Sequence, residues 1–208
     1  YAVAFIFMPQ DEALRRKMER VVEKVIEDEG QTVIGWRDVP HDNSSLSKAP
    51  DIVATEPYHR QVIIGRGDDI ADEDAFERKL YIIRKVCSGK IYSAYAGEPT
   101  DFYIVSMSCR TLVYKGMFLA AQLGAYYADL HDPDFESALA LVHQRFSTNT
   151  FPSWRLAHPY RFVCHNGEIN TVRGNVNWMA ARQASVESPL FGADIGKLWP
   201  ISYPGQSD

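Results

Sequence analysis

Two stretches carry the residues best suited to chemistry: His143-Gln-Arg-Phe-Ser-Thr-Asn-Thr-Phe-Pro-Ser-Trp154 and Phe162-Val-Cys-His-Asn-Gly-Glu-Ile-Asn170. Arg145 closes an apolar strand pattern and enters a polar loop. A guanidinium at such a place can clamp a carboxylate through two parallel hydrogen bonds, or it can sit in a surface salt bridge. Asn166-Gly167 is a common hairpin turn, because both residues tolerate positive φ. The same pair can form an oxyanion hole. The Asn amide and the Gly backbone N–H would point at a developing negative oxygen, and the missing Cβ would let the reacting carbonyl approach. Cys164 and His165 are adjacent, so on a strand they face opposite ways and cannot form a nucleophile–base dyad; Cys164 is expected to be a core thiol. His143 shares the strand face of Arg145, as an orienting or purely structural histidine. Glu168 is either catalytic or a carboxylate favoured early in a helix. Trp154 and Trp178 are expected in the core.

The elements that would position these residues follow from periodicity. Residues 1–8 read as a buried strand, and Leu14, Met18, Val21, Val22, Val25 and Ile26 as a helix over 11–29 ended by Gly30. Strands are expected at 33–39 and 61–64, with a loop over 41–50. A helix from about Asp72, with Ala75, Phe76, Leu80 and Ile83 on one face, is expected to break at Ser88-Gly89-Lys90. Residues 102–108 and 111–114 read as an antiparallel hairpin around Cys109-Arg110, and 117–130 as helical. Alternation over 137–145 predicts a strand with Leu139, Leu141, His143 and Arg145 on one face. A strand at 160–164, a helix over about 171–184 and an irregular, Pro- and Gly-rich tail complete the chain. The mixture suggests a mixed or antiparallel layered domain rather than a regular βαβ series.

Composition narrows the function class. The chain has 208 residues, 46% of them hydrophobic and 12% aromatic, as in a globular enzyme domain. A net charge of -5 with scattered Lys and Arg argues against nucleic acid or a membrane as main partner. No apolar run is long enough to span a bilayer. Three cysteines without a CxxC disfavour a disulfide framework or zinc site and favour a reducing compartment. The glycines at 65, 67 and 89 match no phosphate-binding loop, so a nucleotide site is not expected. Asn43-Ser44-Ser45 fits a glycosylation acceptor by chance spacing. The chain opens in mid-strand and stops at Gln206-Ser-Asp208, so it is expected to be a piece of a longer protein.

Taken together, the 143–154 run, His165-Asn-Gly-Glu-Ile-Asn-Thr171, Gly174-Asn-Val-Asn-Trp178, Gly35-Trp-Arg-Asp-Val-Pro40 and Gly205-Gln-Ser-Asp208 closely resemble the glutaminase domain of glutamate synthase large subunits. The resemblance is densest over 137–184. It implies a class II glutamine amidotransferase: an α+β, N-terminal-nucleophile hydrolase fold, a four-layer αββα sandwich, present here as an incomplete fragment. It also implies that Arg145 binds the α-carboxylate of L-glutamine, with Thr148 and Asn149 lining the same pocket. Asn166 and Gly167 would form the oxyanion hole, and Asp208 would pair with the α-ammonium group. The family's nucleophile is an N-terminal cysteine whose own α-amine is the base. Tyr1 resembles a strand some tens of residues beyond it, so that cysteine lies outside this chain, which alone is expected to be inactive. The family usually carries proline and glutamine where this chain has Arg155 and His158.

For the whole enzyme, the resemblance implies internal ammonia transfer and reductive amination of 2-oxoglutarate. FMN and an iron–sulfur cluster would be carried elsewhere, with no cofactor in this segment. Further partners would be the remaining domains of the same polypeptide and a small NAD(P)H-oxidising subunit. The location would be cytoplasmic, or plastid in a plant or alga. Two rivals stand beside this: a non-catalytic glutamine-binding or subunit-docking module, and a cysteine hydrolase using Cys164 or Cys109.

Overall fold

The structure, a computed structural model, describes residues 1–95, 100–146, 150–165 and 171–202. In chain order its elements are β1 (Ala2–Met8), α1 (Glu12–Asp28), β2 (Thr32–Asp38), α2 (Pro50–Ala54), β3 (Tyr58–Gly65), α3 (Glu73–Ala94), β4 (Tyr103–Ser108), α4 (Leu123–Tyr126) and α5 (Val172–Arg182), with short 3-10 turns between them. The strands form one antiparallel sheet in the order β2-β3-β1-β4. Each of the two helical crossovers, α1 and α3, skips a strand, which gives a split βαββαβ arrangement. The α+β class expected from sequence is what the chain shows.

Side-chain alternation along β1 divides the core in two. Ala2, Ala4, Ile6 and Met8 face α1 and α3, where they meet Met18, Val22, Val25, Ile26, Phe76, Leu80 and Ile83. Phe5 and Phe7 point the other way, into Val39, Leu46, Val105, Val113, Tyr126, Tyr127 and Trp154. The helices start where their caps dictate. Asp11 accepts from the Leu14 amide at 2.7 Å and Asp72 from that of Ala75 at 2.7 Å. Gly30, at φ 75°, closes α1 in a left-handed conformation that favours glycine.

Several expectations give way to tertiary packing. α3 does not break at Ser88-Gly89-Lys90 but runs to Ala94. Its apolar stripe continues through Cys87 and Ile91, both fully buried. Burying an isoleucine is worth about 1.5–3 kcal/mol, more than the roughly 1 kcal/mol cost of one helical glycine. The second arm of the 102–114 hairpin does not form. Past β4 the backbone bonds to hydroxyls instead: Ser108 Oγ accepts from the Arg110 and Thr111 amides at 3.0 and 3.1 Å, and Ser106 Oγ from the Val113 amide at 3.3 Å.

The 117–130 helix shrinks to α4 between 3-10 turns, because the chain must bury the adjacent rings of Tyr126 and Tyr127 together. Residues 137–145 form no regular element and pair with no described strand, and Leu139 is 78% exposed. The 160–164 strand reduces to a single bridge between Tyr160 and Val163, with Arg161 turned through φ 41°. α5 forms as expected on its Thr171 cap, yet Trp178 is 72% exposed rather than in the core. Residues 192–198, expected to be irregular, wind into a 3-10 helix.

The two-sided burial of β1 predicts a sharp contrast within one sheet. Ile6→Ala should cost about 2–5 kcal/mol by leaving a cavity under α1 and α3. Ile34→Ala, on β2 with a side chain 62% exposed, should cost less than about 0.5 kcal/mol. Amide hydrogen exchange of the paired β1 and β3 residues in the full-length protein reads both.

Candidate functional site

Lys115 is the most deeply buried cation beside the two motif stretches, 2% exposed. Its Nζ donates to the Arg155 carbonyl at 2.8 Å and lies 4.5 and 4.8 Å from the ring centres of Tyr160 and Tyr103. Its own carbonyl accepts from Tyr127 Oη at 2.8 Å. Burial, and secondarily the Arg161 guanidinium, push the ammonium well below its ordinary pKa. Lys115 thus ties β4 to the 150–165 segment that carries the second motif stretch.

Against that anchor three imidazoles gather. His158 lies 4.8 Å from His143 and 5.6 Å from His165, ring centre to ring centre, and 4.6 Å from Tyr160. His143 comes from the first motif stretch and His165 from the second, so the structure brings the two runs into contact. Cys164 Sγ reaches back to the Val142 carbonyl at 3.9 Å, a second link between them. His158 Nδ1, His143 Nε2 and His165 Nδ1 are buried without a hydrogen-bond partner among the described residues. Burial, helped by the neighbouring His143, His165 and Lys115, pushes His158 down to about 4. It is therefore neutral at neutral pH.

Of the residues expected to bind or act on substrate, Arg145 lies among those described. It is exposed and joins no ion pair there, so the salt-bridge alternative has no partner in view. Thr148, Asn149, Asn166, Gly167, Glu168 and Asp208 lie outside the described residues. Cys164, expected in the core, is only half-buried. Burial pushes the Cys87 thiol up to about 12, and burial with the Glu77 carboxylate pushes Cys109 up to about 11. Both stay protonated, which disqualifies them as nucleophiles at neutral pH. The cysteines do not enter a metal-ligating cluster among the described residues, so they do not fit an iron–sulfur centre. Asn43 of the chance glycosylation triplet is engaged by Glu56 Oε2 at 2.8 Å. Lys115 and His158 escaped the sequence reading, because a lone lysine or histidine in an apolar run carries no spacing signal. No helix among the described residues is long and apolar enough to cross a membrane.

The chain belongs to the class-II glutamine amidotransferases, whose family profile matches residues 1–208; these are N-terminal-nucleophile hydrolases in fold. Among particular relatives, it is 47% identical across its whole length to the glutamate synthase [NADPH] large chain of Bacillus subtilis. It is 46% identical, again across its whole length, to the glutamate synthase [NADPH] large chain of Azospirillum brasilense. Over 99% of the chain it is 42% identical to ferredoxin-dependent glutamate synthase 2, chloroplastic, of Arabidopsis thaliana. The chain spans 13% of the length of the two bacterial relatives and 12% of the plant one.

The buried imidazole carries a pH consequence. His158 holds a folded pKa of about 4 against an ordinary 6.5. Between those values the unfolded chain binds the extra proton, so stability rises with pH across that window and is lost as pH falls through it. His158→Gln should flatten this acid limb. The check is the urea midpoint of wild type and variant at pH 7 and pH 5: the drop should be smaller in the variant.

Proposed function

We propose that this chain is the glutamine-binding and oxyanion-stabilising part of a glutamate synthase. It would serve the reaction of L-glutamine with water to give glutamate and ammonia. The observation that carries the reading is the family match over the entire chain, joined by relatives at 42–47% identity that are all named glutamate synthases. In this reading Arg145, exposed and without a described ion-pair partner, clamps the substrate α-carboxylate. Thr148 and Asn149 line the pocket beside it, and Asp208 takes the α-ammonium. A free amino acid needs one cationic and one anionic clamp, and this set supplies both.

The chemistry begins at an N-terminal cysteine of the full-length protein. Its α-amine titrates near neutrality and can accept the thiol proton without a histidine. The thiolate attacks the side-chain amide carbon. The tetrahedral oxyanion is received by the Asn166 amide and the Gly167 backbone N–H. The proton passes to the leaving nitrogen, ammonia departs, and water hydrolyses the thioester to glutamate. The ammonia then serves reductive amination of 2-oxoglutarate elsewhere in the enzyme. FMN and an iron–sulfur cluster, held outside this segment, would supply the electrons. The electron donor differs among the relatives, whose names print NADPH or ferredoxin. A small NAD(P)H-oxidising subunit is the corresponding partner where the donor is a nicotinamide. The expected location is the cytoplasm, or the plastid in a plant or alga.

The test is covalent labelling of the full-length protein with a chloroketone analogue of glutamine, followed by peptide mapping. The label should fall on an N-terminal cysteine upstream of Tyr1. A label on Cys87, Cys109 or Cys164 would overturn the mechanism, and no label would make the domain non-catalytic.

Two substitutions separate binding from catalysis. Arg145→Lys loses the bidentate fork and should raise KM for glutamine about 10- to 100-fold, with a smaller effect on kcat. Asn166→Ala should lower the glutaminase kcat about 10²- to 10³-fold while leaving KM nearly unchanged. Steady-state ammonia release checks both.

A further inference from the structure

Against the rings of the aromatic core, three further side chains converge. They are His41, just past β2, Glu56, just before β3, and His59 within β3. One ligand-capable atom from each lies within 4.8 Å of the other two. His59 is 1% exposed, and neither of its ring nitrogens has a hydrogen-bond partner among the described residues. Leaving a buried polar atom unpaired is costly, so such a ring calls for a ligand. His41 Nδ1 donates to the Val39 carbonyl at 2.9 Å, since a carbonyl can only accept. That bond fixes the tautomer and leaves the Nε2 lone pair free, 3.8 Å from Glu56 Oε1. The two imidazoles cross at 79° with centres 4.6 Å apart.

The frame around these groups is fixed in advance. Glu56 Oε2 accepts from Asn43 Nδ2 at 2.8 Å and Oε1 accepts a short bond from Tyr126 Oη. Its backbone carbonyl accepts from Gln10 Nε2 at 3.0 Å. His41 bridges Tyr127 across an isolated antiparallel pair, and the Asp42 amide donates to the Tyr126 carbonyl at 2.8 Å. The Val39 amide donates to the His59 carbonyl at 3.1 Å. Hydrogen bonds of this kind, one bond removed from the ligand atoms, hold histidine and carboxylate ligands in their orientation at metal sites.

The geometry points to a binding site for a borderline divalent metal ion of the zinc class, formed by His41, Glu56 and His59, with the fourth position open on the His41 side. Zinc takes nitrogen at about 2.0–2.1 Å, which sets tetrahedral ligand atoms roughly 3.3 Å apart. Closing the present spacing to that value needs movement on the order of 1 Å, and the His41 side chain, 29% exposed, is the least enclosed of the three. The ion takes the lone pair of one His59 nitrogen. The buried Glu56 carboxylate supplies the negative charge that offsets the cation.

The test uses the full-length protein, stripped with a chelator and titrated with Zn²⁺ by calorimetry and with Co²⁺ by absorption. Wild type is compared with His41→Ala, a surface substitution outside the core, and Asn43→Ala, which removes only the support of Glu56. His41→Ala should bind one Zn²⁺ fewer per chain, or bind it at least about 100-fold more weakly, and Asn43→Ala about 10-fold more weakly. The Co²⁺ difference spectrum, wild type minus His41→Ala, should show d–d bands without a thiolate charge-transfer band. Zn²⁺ stoichiometry and affinity unchanged in both variants would overturn the site. So would a difference spectrum with thiolate bands, which would place the ion on cysteine.

Discussion

Six of the seven residues of β1 are buried, and Val3 is the partial exception. A central strand covered on both sides must find a separate cover for each face, and the two covers here differ in kind. On one face, small residues at Ala2 and Ala4 let α1 and α3 approach the sheet, and their aliphatic stripes fill the space. On the other face no helical layer stands among the described residues. Loops and short turns must do that work, and they do it with rings. Tyr126 and Tyr127 meet at 4.7 Å nearly perpendicular, Phe5 and Phe7 at 5.5 Å, and Phe7 and Trp154 at 6.3 Å. Aromatic side chains bury much area per residue and lock through edge-to-face contacts, which suits a cover made of irregular chain.

That cover is also where the polar groups go under. His59, Gln61, Ser106 and Lys115 are buried on or beside the aromatic face, whereas the buried cluster beneath α1 and α3 is apolar. Ser106, Gln61 and Lys115 are held there by specific hydrogen bonds. Ser106 Oγ accepts a loop amide. Gln61 Oε1 accepts from Arg37, which in turn pairs with Asp129 at 2.7 Å. Tyr114 Oη bonds the same Asp129 at 2.6 Å, and that bond together with burial raises the phenol far above its usual range. Such networks specify one packing of the loops where apolar contacts alone would permit several.

How much of this was legible depended on whether the signal was local. α1 and the start of α3 announced themselves by a stripe at helical spacing, and both formed within a residue of expectation. α5 was nearly as readable, while β3, expected over 61–64, begins three residues earlier at Tyr58. The failures share one cause: the deciding contact is made only in the folded chain. Gly89 reads as a helix end until Ile91 is seen to have a pocket. Thr111–Tyr114 reads as a strand until Ser106 and Ser108 are seen to capture its amides. Leu139 and Leu141 alternate like a strand but have no described ladder to join. At the site, Arg145 drew notice through its type and its place at the end of an apolar run. Its role came only from resemblance, because spacing alone left clamp and surface arginine open. Lys115, His158 and the His41–Glu56–His59 group were invisible, since their members are brought together only by the fold.

Lys115 shows why the site cannot be separated from the aromatic face. An ammonium buried this deeply is costly unless its donors and its charge both find compensation. The Arg155 carbonyl takes one donor, and the Tyr103 and Tyr160 rings present their negative faces to the charge. Tyr103 belongs to β4 and Tyr160 to the turn that precedes Cys164 and His165. The compensation therefore exists only while the turn is seated against the strand. Gly116 enforces the same fit sterically: a Cβ there would lie 2.4 Å from the Phe118 ring and 2.6 Å from that of Trp154. Residues 115 and 116 thus act as a joint. One side is electrostatic and the other is steric, and both hold the motif-bearing turn against a sheet whose own stability is set by β1.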